Sequence, residues 1–216
     1  MNSQDYPFTI SRLIVGCFQT NCYIVFSSHR NAVVIDPGDE EEKIIEYIKK
    51  EKLNVKYIIN THGHSDHIGA NHIKNRLTPM PLLAIHQFDE VYLTDAALNL
   101  SEISGICYKE IKPDIILNDN QKIIVDENLV FVVLHTPGHT PGSISLKLNN
   151  YLFSGDLIFP QSVGRTDLPG GDEKSLRQSL KKIYSLDKQT IILPGHGEKT
   201  TLNTEIKTNP YLRLCL

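Results

Sequence analysis

The stretch Asn60-Thr61-His62-Gly63-His64-Ser65-Asp66-His67 places three imidazoles and a carboxylate within six consecutive positions. Imidazole nitrogens and carboxylate oxygens are common donors to first-row divalent metals, and this density points to a metal site rather than a solvated turn. Upstream, Val55-Lys56-Tyr57-Ile58-Ile59 is short, apolar and β-branched, and reads as a buried strand. Downstream, Ile68 to Leu77 carries apolar residues at helical spacing, which predicts a helix with Asp66 and His67 near its start. The cluster therefore lies on a strand-to-helix loop, where a rigid scaffold can hold ligands. Read alone, Asp66 would be no more than a helix cap.

Bulk properties set the frame around this stretch. The chain has 216 residues, 40% of them hydrophobic, with a formal net charge of -3 and both signs interspersed. That is enough chain to bury a substantial core, and no Pro/Gly/Ser-rich linker divides it, so a single domain over residues 1–216 is expected. No basic stripe suggests nucleic acid, and no apolar run reaches transmembrane length. The segment Met1-Asn2-Ser3-Gln4-Asp5 lacks the basic and apolar regions of a signal peptide. These features lead to the expectation of a cytoplasmic protein with neither nucleic-acid nor membrane partners. Cys17, Cys22, Cys107 and Cys215 show no paired spacing and are expected to be buried small hydrophobes outside the site.

Outward from the cluster, β-rich runs at Phe8–Val15, Asn21–Phe26 and Ala32–Ile35 read as an antiparallel meander. The third ends in Asp36-Pro37-Gly38, after which Asp39 is expected to cap a helix reaching about Lys52. Beyond the cluster, a strand at Leu82–Ile85 and a short helix at His86–Leu93 are expected, whereas Thr94 to Pro113 carries no clear pattern. A second set of strands follows at Ile115–Leu117, Lys122–Val125, Leu129–His135, Ser143–Leu148 and Tyr151–Ser154. The remaining chain reads as a helix over Glu173–Tyr184, a strand over Thr190–Leu193 and a short helix near Leu202–Lys207. Two strand-rich halves, each followed by helices, predict an α/β (α+β) fold in which two sheets pack face to face between outer helices.

Three later positions lie where an apolar strand gives way to a turn. They are His139 in Thr136-Pro137-Gly138-His139-Thr140-Pro141-Gly142, Asp156 in Phe153-Ser154-Gly155-Asp156, and His196 in Leu193-Pro194-Gly195-His196-Gly197. Each alone has a plain reading as a turn residue, but residues at strand ends converge at one edge of a sheet. His29, His72, His86 and His135 are expected to lie outside the site.

The ordered set Asp36-Pro37-Gly38, His62-x-His64-x-Asp66-His67, His139 in its Gly-His-Thr-Pro-Gly loop, Gly155-Asp156, Gly164-Arg165 and Gly195-His196-Gly197 resembles the metallo-β-lactamase superfamily. Within that superfamily it is similar to the glyoxalase II (hydroxyacylglutathione hydrolase) type, in particular its short bacterial members. The resemblance implies a four-layer αββα sandwich. It implies that His62, His64 and His139 hold one divalent metal ion, that Asp66, His67 and His196 hold a second, and that Asp156 bridges them. Zinc is the family default, with iron or manganese compatible with the donors. Asp36 matches a position that supports ligands by hydrogen bonding, and Arg165 a position that binds substrate.

The implied reaction is attack of a metal-bound hydroxide on a thioester such as S-D-lactoylglutathione, with Asp66 orienting the nucleophile or shuttling its proton. The longer family members carry a C-terminal helical extension with further basic contacts to glutathione. This sequence has only Arg213 as a basic residue beyond its last expected helix, and Asp167 replaces a family tyrosine. Alternatives are a mononuclear iron persulfide dioxygenase, a lactonase, or a non-catalytic metal-binding protein. A small-molecule thioester substrate is expected, with the chain a monomer or small homo-oligomer.

Overall fold

The computed structural model describes residues 7–106 and 108–213. Strands β1 (Phe8–Val15), β2 (Thr20–Ser27) and β3 (Asn31–Ile35) form an antiparallel meander. The chain leaves β3 through Asp36-Pro37-Gly38, forms α1 (Glu41–Lys50), and returns as β4 (Asn54–Ile59), parallel to β3. The four-residue helix α2 (Ser65–Ile68) and a 3-10 segment (Asn71–Arg76) lead to β5 (Leu82–His86). A second 3-10 segment (Gln87–Leu93) and α3 (Ser101–Ser104) lead to β6 (Ile115–Leu117). These strands make one sheet in the order β1-β2-β3-β4-β5-β6.

The second half builds β7 (Lys122–Asp126), β8 (Leu129–His135), β9 (Ile144–Leu148) and β10 (Tyr151–Gly155), then a small hairpin of β11 (Ile158–Phe159) and β12 (Ser162–Val163). After α4 (Glu173–Tyr184) come β13 (Ile191–Pro194), β14 (Thr200–Thr201), α5 (Leu202–Thr208) and α6 (Pro210–Arg213). The second sheet has the order β14-β13-β10-β9-β8-β7, with β13 parallel to β10.

Strand alternation explains the layers. On β3, Val33 and Ile35 face the core between the sheets, while Val34 packs outward with Ile44, Ile45 and Ile48 of α1. On β10 and β13, Phe153 and Leu193 face the middle core, whereas Leu152 and Ile192 pack against Leu176, Leu180 and Ile183 of α4. Three apolar cores separate helix, sheet, sheet and helix, so the strands are apolar on both faces and the expected αββα sandwich results. Fully buried side chains such as Ile24, Ile58 and Phe131 each contribute roughly 1.5–3 kcal/mol of burial free energy. Among the described residues no helix is long and apolar enough to cross a membrane.

Several local expectations are corrected. The helix over Ile68–Leu77 is broken: Ala70 N donates to Pro37 O at 2.8 Å, outside the helical ladder. Gly69 lies so close to the Asp-Pro-Gly turn that a Cβ there would come within 2.2 Å of Gly38 O. Docking of the turn therefore displaces a continuous helix. Asp39 is not the cap of α1; Glu40 holds that position at φ 51, and Asp39 Oδ1 accepts from Glu40 N. The segment after β5 is 3-10 rather than α-helical. Cys22 is buried, but Cys17 lies on an exposed turn; Cys107 and Cys215 lie outside the described residues.

Candidate metal centre

Five strand ends aim at one place. Asp36 follows β3, the His62 to His67 loop follows β4, His139 follows β8, Asp156 follows β10 and His196 follows β13. The two sheets are tied across this edge by Ile144 N donating to Thr61 O and by Asn21 N donating to Gly195 O, at 2.8 and 2.7 Å. Such strand ends are where open α/β sheets gather functional groups.

The structure brings all seven expected ligand side chains together. Donor atoms of His62, His64 and His139 lie within 4.8 Å of one another, as do those of Asp66, His67 and His196, and those of His62, His67 and Asp156. Asp156 spans the halves, with Oδ1 3.4 Å from His67 Nε2 and Oδ2 3.6 and 3.5 Å from Nε2 of His139 and His196. Gly195 permits this approach, because a Cβ there would meet Asp156 Oδ1 at 2.2 Å and His67 Cε1 at 2.6 Å.

The outer ring nitrogens fix the inner ones. His139 Nδ1 donates to Arg165 O at 2.8 Å, His196 Nδ1 to Phe18 O at 3.0 Å, and His67 Nδ1 to Asp36 Oδ2 at 3.0 Å. A carbonyl can only accept, so when neutral His139 and His196 carry bare lone pairs at Nε2. Those lone pairs turn inward, toward His64 Nδ1 at 2.9 Å and His67 Nε2 at 3.2 Å. His62 Nε2, His64 Nε2 and Asp156 Oδ1 are buried without a hydrogen-bond partner. Buried acceptors converging with so few donors are costly unless a cation neutralises them. The residues therefore fit a binuclear metal site.

Electrostatics separate the halves. Burial, reinforced by the charges of His67 and His139, holds His62 well below its ordinary pKa. Burial and His139 press His64 down to about 3. For His67, burial opposes the charge, yet Asp66, Asp156 and Asp36 outweigh it and raise the ring to about 10. Burial likewise works against ionisation of Asp66, but His67 and His196 prevail and keep its carboxyl below the usual range. His196 is raised, with burial overcome by the Asp66 hydrogen bond and the Asp156 charge.

Asp36 lies buried under the site in left-handed backbone at φ 52, a conformation Asp tolerates better than most residues. Besides His67, its carboxylate accepts from Thr61 N and Thr61 Oγ1, both at 2.7 Å. Arg165 stands at the mouth, its guanidinium in a two-point pair with Asp167 at 2.7 Å for both contacts. A cleft of about 680 Å³ opens there, lined by Phe159, Pro160, Val163, Arg165 and Glu198 beside His139 and Asp156. Of the histidines expected outside the site, His86 stacks on His135 at 4.1 Å, His72 donates to Lys109 O, and His29 is exposed beside Glu127.

Several supporting residues escape sequence reasoning. Thr20 Oγ1 donates to Asp66 Oδ2 at 3.1 Å, and Ser65 N donates to Asn99 O at 2.8 Å. Asn60 and Asn71 exchange amide hydrogen bonds at 3.0 and 2.9 Å, bracing the loop from below. A buried Asn beginning the His/Asp run is a faint local signal for the last pair; Thr20 and Asn99 carry none.

The sequence profile of the metallo-beta-lactamase superfamily matches residues 15–196. The hydroxyacylglutathione hydrolase GloC of Haemophilus influenzae is 34% identical over 202 residues, spanning 92% of this chain and 95% of that protein. Among solved structures, BLEG-1 B3 metallo-beta-lactamase superposes with a TM-score of 0.87 at 37% identity, covering 94% of this chain and 99% of the other. TTHA1623 in a di-iron-bound form gives 0.84 at 36% identity, covering 93% and 99%. The chain belongs to the metallo-β-lactamase superfamily and is a metallohydrolase of that group.

Proposed function

We propose that this superfamily member is a glyoxalase II-like thioester hydrolase acting on S-D-lactoylglutathione or a related hydroxyacyl thioester. The observation that carries the reading is the set of inward lone pairs and buried unpartnered acceptors at His62, His64 and Asp156, beside an open cleft with Arg165 at its mouth. Similarity to a hydroxyacylglutathione hydrolase over nearly the whole chain supports the substrate class. His62, His64 and His139 would hold one divalent ion and Asp66, His67 and His196 the other, with Asp156 shared. Zinc is the family default, and iron or manganese also suits these donors; one relative is di-iron-bound. Bound there, the ions supply Lewis acidity, lowering the pKa of water towards about 7 and polarising a carbonyl.

The chain's own groups do the rest. Asp66 Oδ2 lies 3.5 and 3.2 Å from Nε2 of His67 and His196, where its carboxylate would orient attacking water or shuttle its proton. Thr20 Oγ1 donates to Asp66 Oδ2 and holds it in place. Phe159, Pro160 and Val163 give the acyl group an apolar wall, and Arg165 offers the thiol carrier's carboxylates a guanidinium once Asp167 yields it. The leaving thiolate, with a thiol pKa of roughly 8.5, departs without a general acid.

Metal analysis with a substrate panel tests the reading. About two metals per chain and hydrolysis of S-D-lactoylglutathione are expected. Metal-loaded protein that cleaves no thioester overturns the proposal, and oxygen uptake with glutathione persulfide would replace it with the dioxygenase reading.

A further inference from the structure

Asp89, in the 3-10 segment Gln87–Leu93, is fully buried. Its carboxylate touches both loops that carry the first-half histidines. Oδ2 accepts from Gly63 N at 2.9 Å, between His62 and His64, and from Thr140 Oγ1 at 2.6 Å, next to His139. Oδ1 accepts from Gly142 N at 2.6 Å, on the far side of the same His139 loop. Every partner is a donor, so the ionised carboxylate is the form that fits all three. Burial pushes Asp89 up to about 6 against these hydrogen bonds, which leaves it mainly ionised at neutral pH.

The glycines show that this contact is a seat for the loops. A Cβ on Gly63 would come within 2.2 Å of Tyr92 Cβ, and one on Gly142 within 2.5 Å of Asp89 N. Both loops therefore press their backbones onto one segment at their closest points. The seat continues along the chain, since Tyr92 O accepts from Asn99 Nδ2 at 2.7 Å and Asn99 O accepts from Ser65 N. Asp89 donates nothing to the centre and borders none of its donor atoms. What it sets is the spacing between two loops that come from opposite sheets.

We infer that Asp89 is a positioning residue that locks the His62/His64 loop to the His139 loop and so governs cation affinity in that half of the centre. This rests on the metal-centre reading above. An outer partner of this kind typically changes metal affinity by about 10–100-fold.

The test is chelator competition with zinc on purified wild-type protein, Asp89→Asn, Thr140→Val and Thr140→Ser, alongside near-ultraviolet circular dichroism. In Asp89→Asn an amide N–H must face a donor. One of the two affinities should fall by about 10–100-fold while the other holds and the spectrum is unchanged. Thr140→Val should weaken the same site less, and Thr140→Ser should restore it. Two unchanged affinities in a folded Asp89→Asn, or both falling together, would overturn the inference. If Asp89→Asn does not fold, Thr140→Val decides, and wild-type affinity at both sites overturns it. Wild-type protein that binds no zinc fails differently, because it removes the metal-centre reading itself.

Discussion

In the half formed by His62, His64 and His139, three buried rings face one another, and Asp156 Oδ2 lies 3.6 Å from His139 Nε2. In the half formed by Asp66, His67 and His196, acidic groups flank every ring. One half offers three imidazoles and the other two imidazoles and a carboxylate; His62 and His64 are held neutral, whereas His67 favours a proton. The difference teaches that one half is preorganised by backbone packing and the other by charge. A cation entering the first displaces little, whereas one entering the second must release a proton.

The most severe test of that contrast is His139→Ala. It should leave about one metal per chain and reduce thioester hydrolysis by more than the ~10–100-fold cost of losing an outer partner. Metal content and turnover equal to wild type would remove His139 from the first half. Asp36→Asn comes next, because it withdraws the acceptor that steadies His67. Metal affinity should drop by about 10–100-fold as read by chelator titration, and an unchanged titration would show that Asp36 only shapes its turn.

The halves should also diverge with pH once metal is removed by a chelator. His67, raised from 6.5 to about 10, contributes stability that is complete below about pH 6.5 and is lost as pH rises through about 10. His62 and His64, lowered from 6.5, contribute stability present above that value and lost as pH falls. Melting temperatures of stripped protein should therefore decline on both sides of neutrality, while metal-loaded protein resists the alkaline decline. Equal alkaline slopes in the two preparations would break the comparison. The smallest effect is expected from Arg165→Ala, which leaves both halves intact. KM should rise by less than about tenfold with kcat and metal content unchanged, since the guanidinium is exposed and shared with Asp167. A fall in kcat alone would place Arg165 nearer the chemistry.

Much of this was legible in the chain. The apolar strands before Asp36, Asn60, Asp156 and His196 stand out because both faces are buried, and their turn residues mark where each strand ends. The broken helix after His67 was not legible, since Gly69 and Ala70 answer to Pro37 and Gly38 rather than to their own periodicity. Thr94 to Pro113 stayed unreadable for a related reason. It supplies supports, as when Asn99 bonds Tyr92 and Ser65 rather than forming a regular element.

By itself the sequence determined the donor types, their order and the alternation that stacks helix, sheet, sheet and helix, because these depend on residue chemistry and local period. Only the tertiary structure decided which imidazoles face each other, which carry carboxylate neighbours, and that Asp89 joins loops more than fifty residues apart in the chain. Pairings of that kind arise when two sheets close on a shared core, and burial then sets their charge.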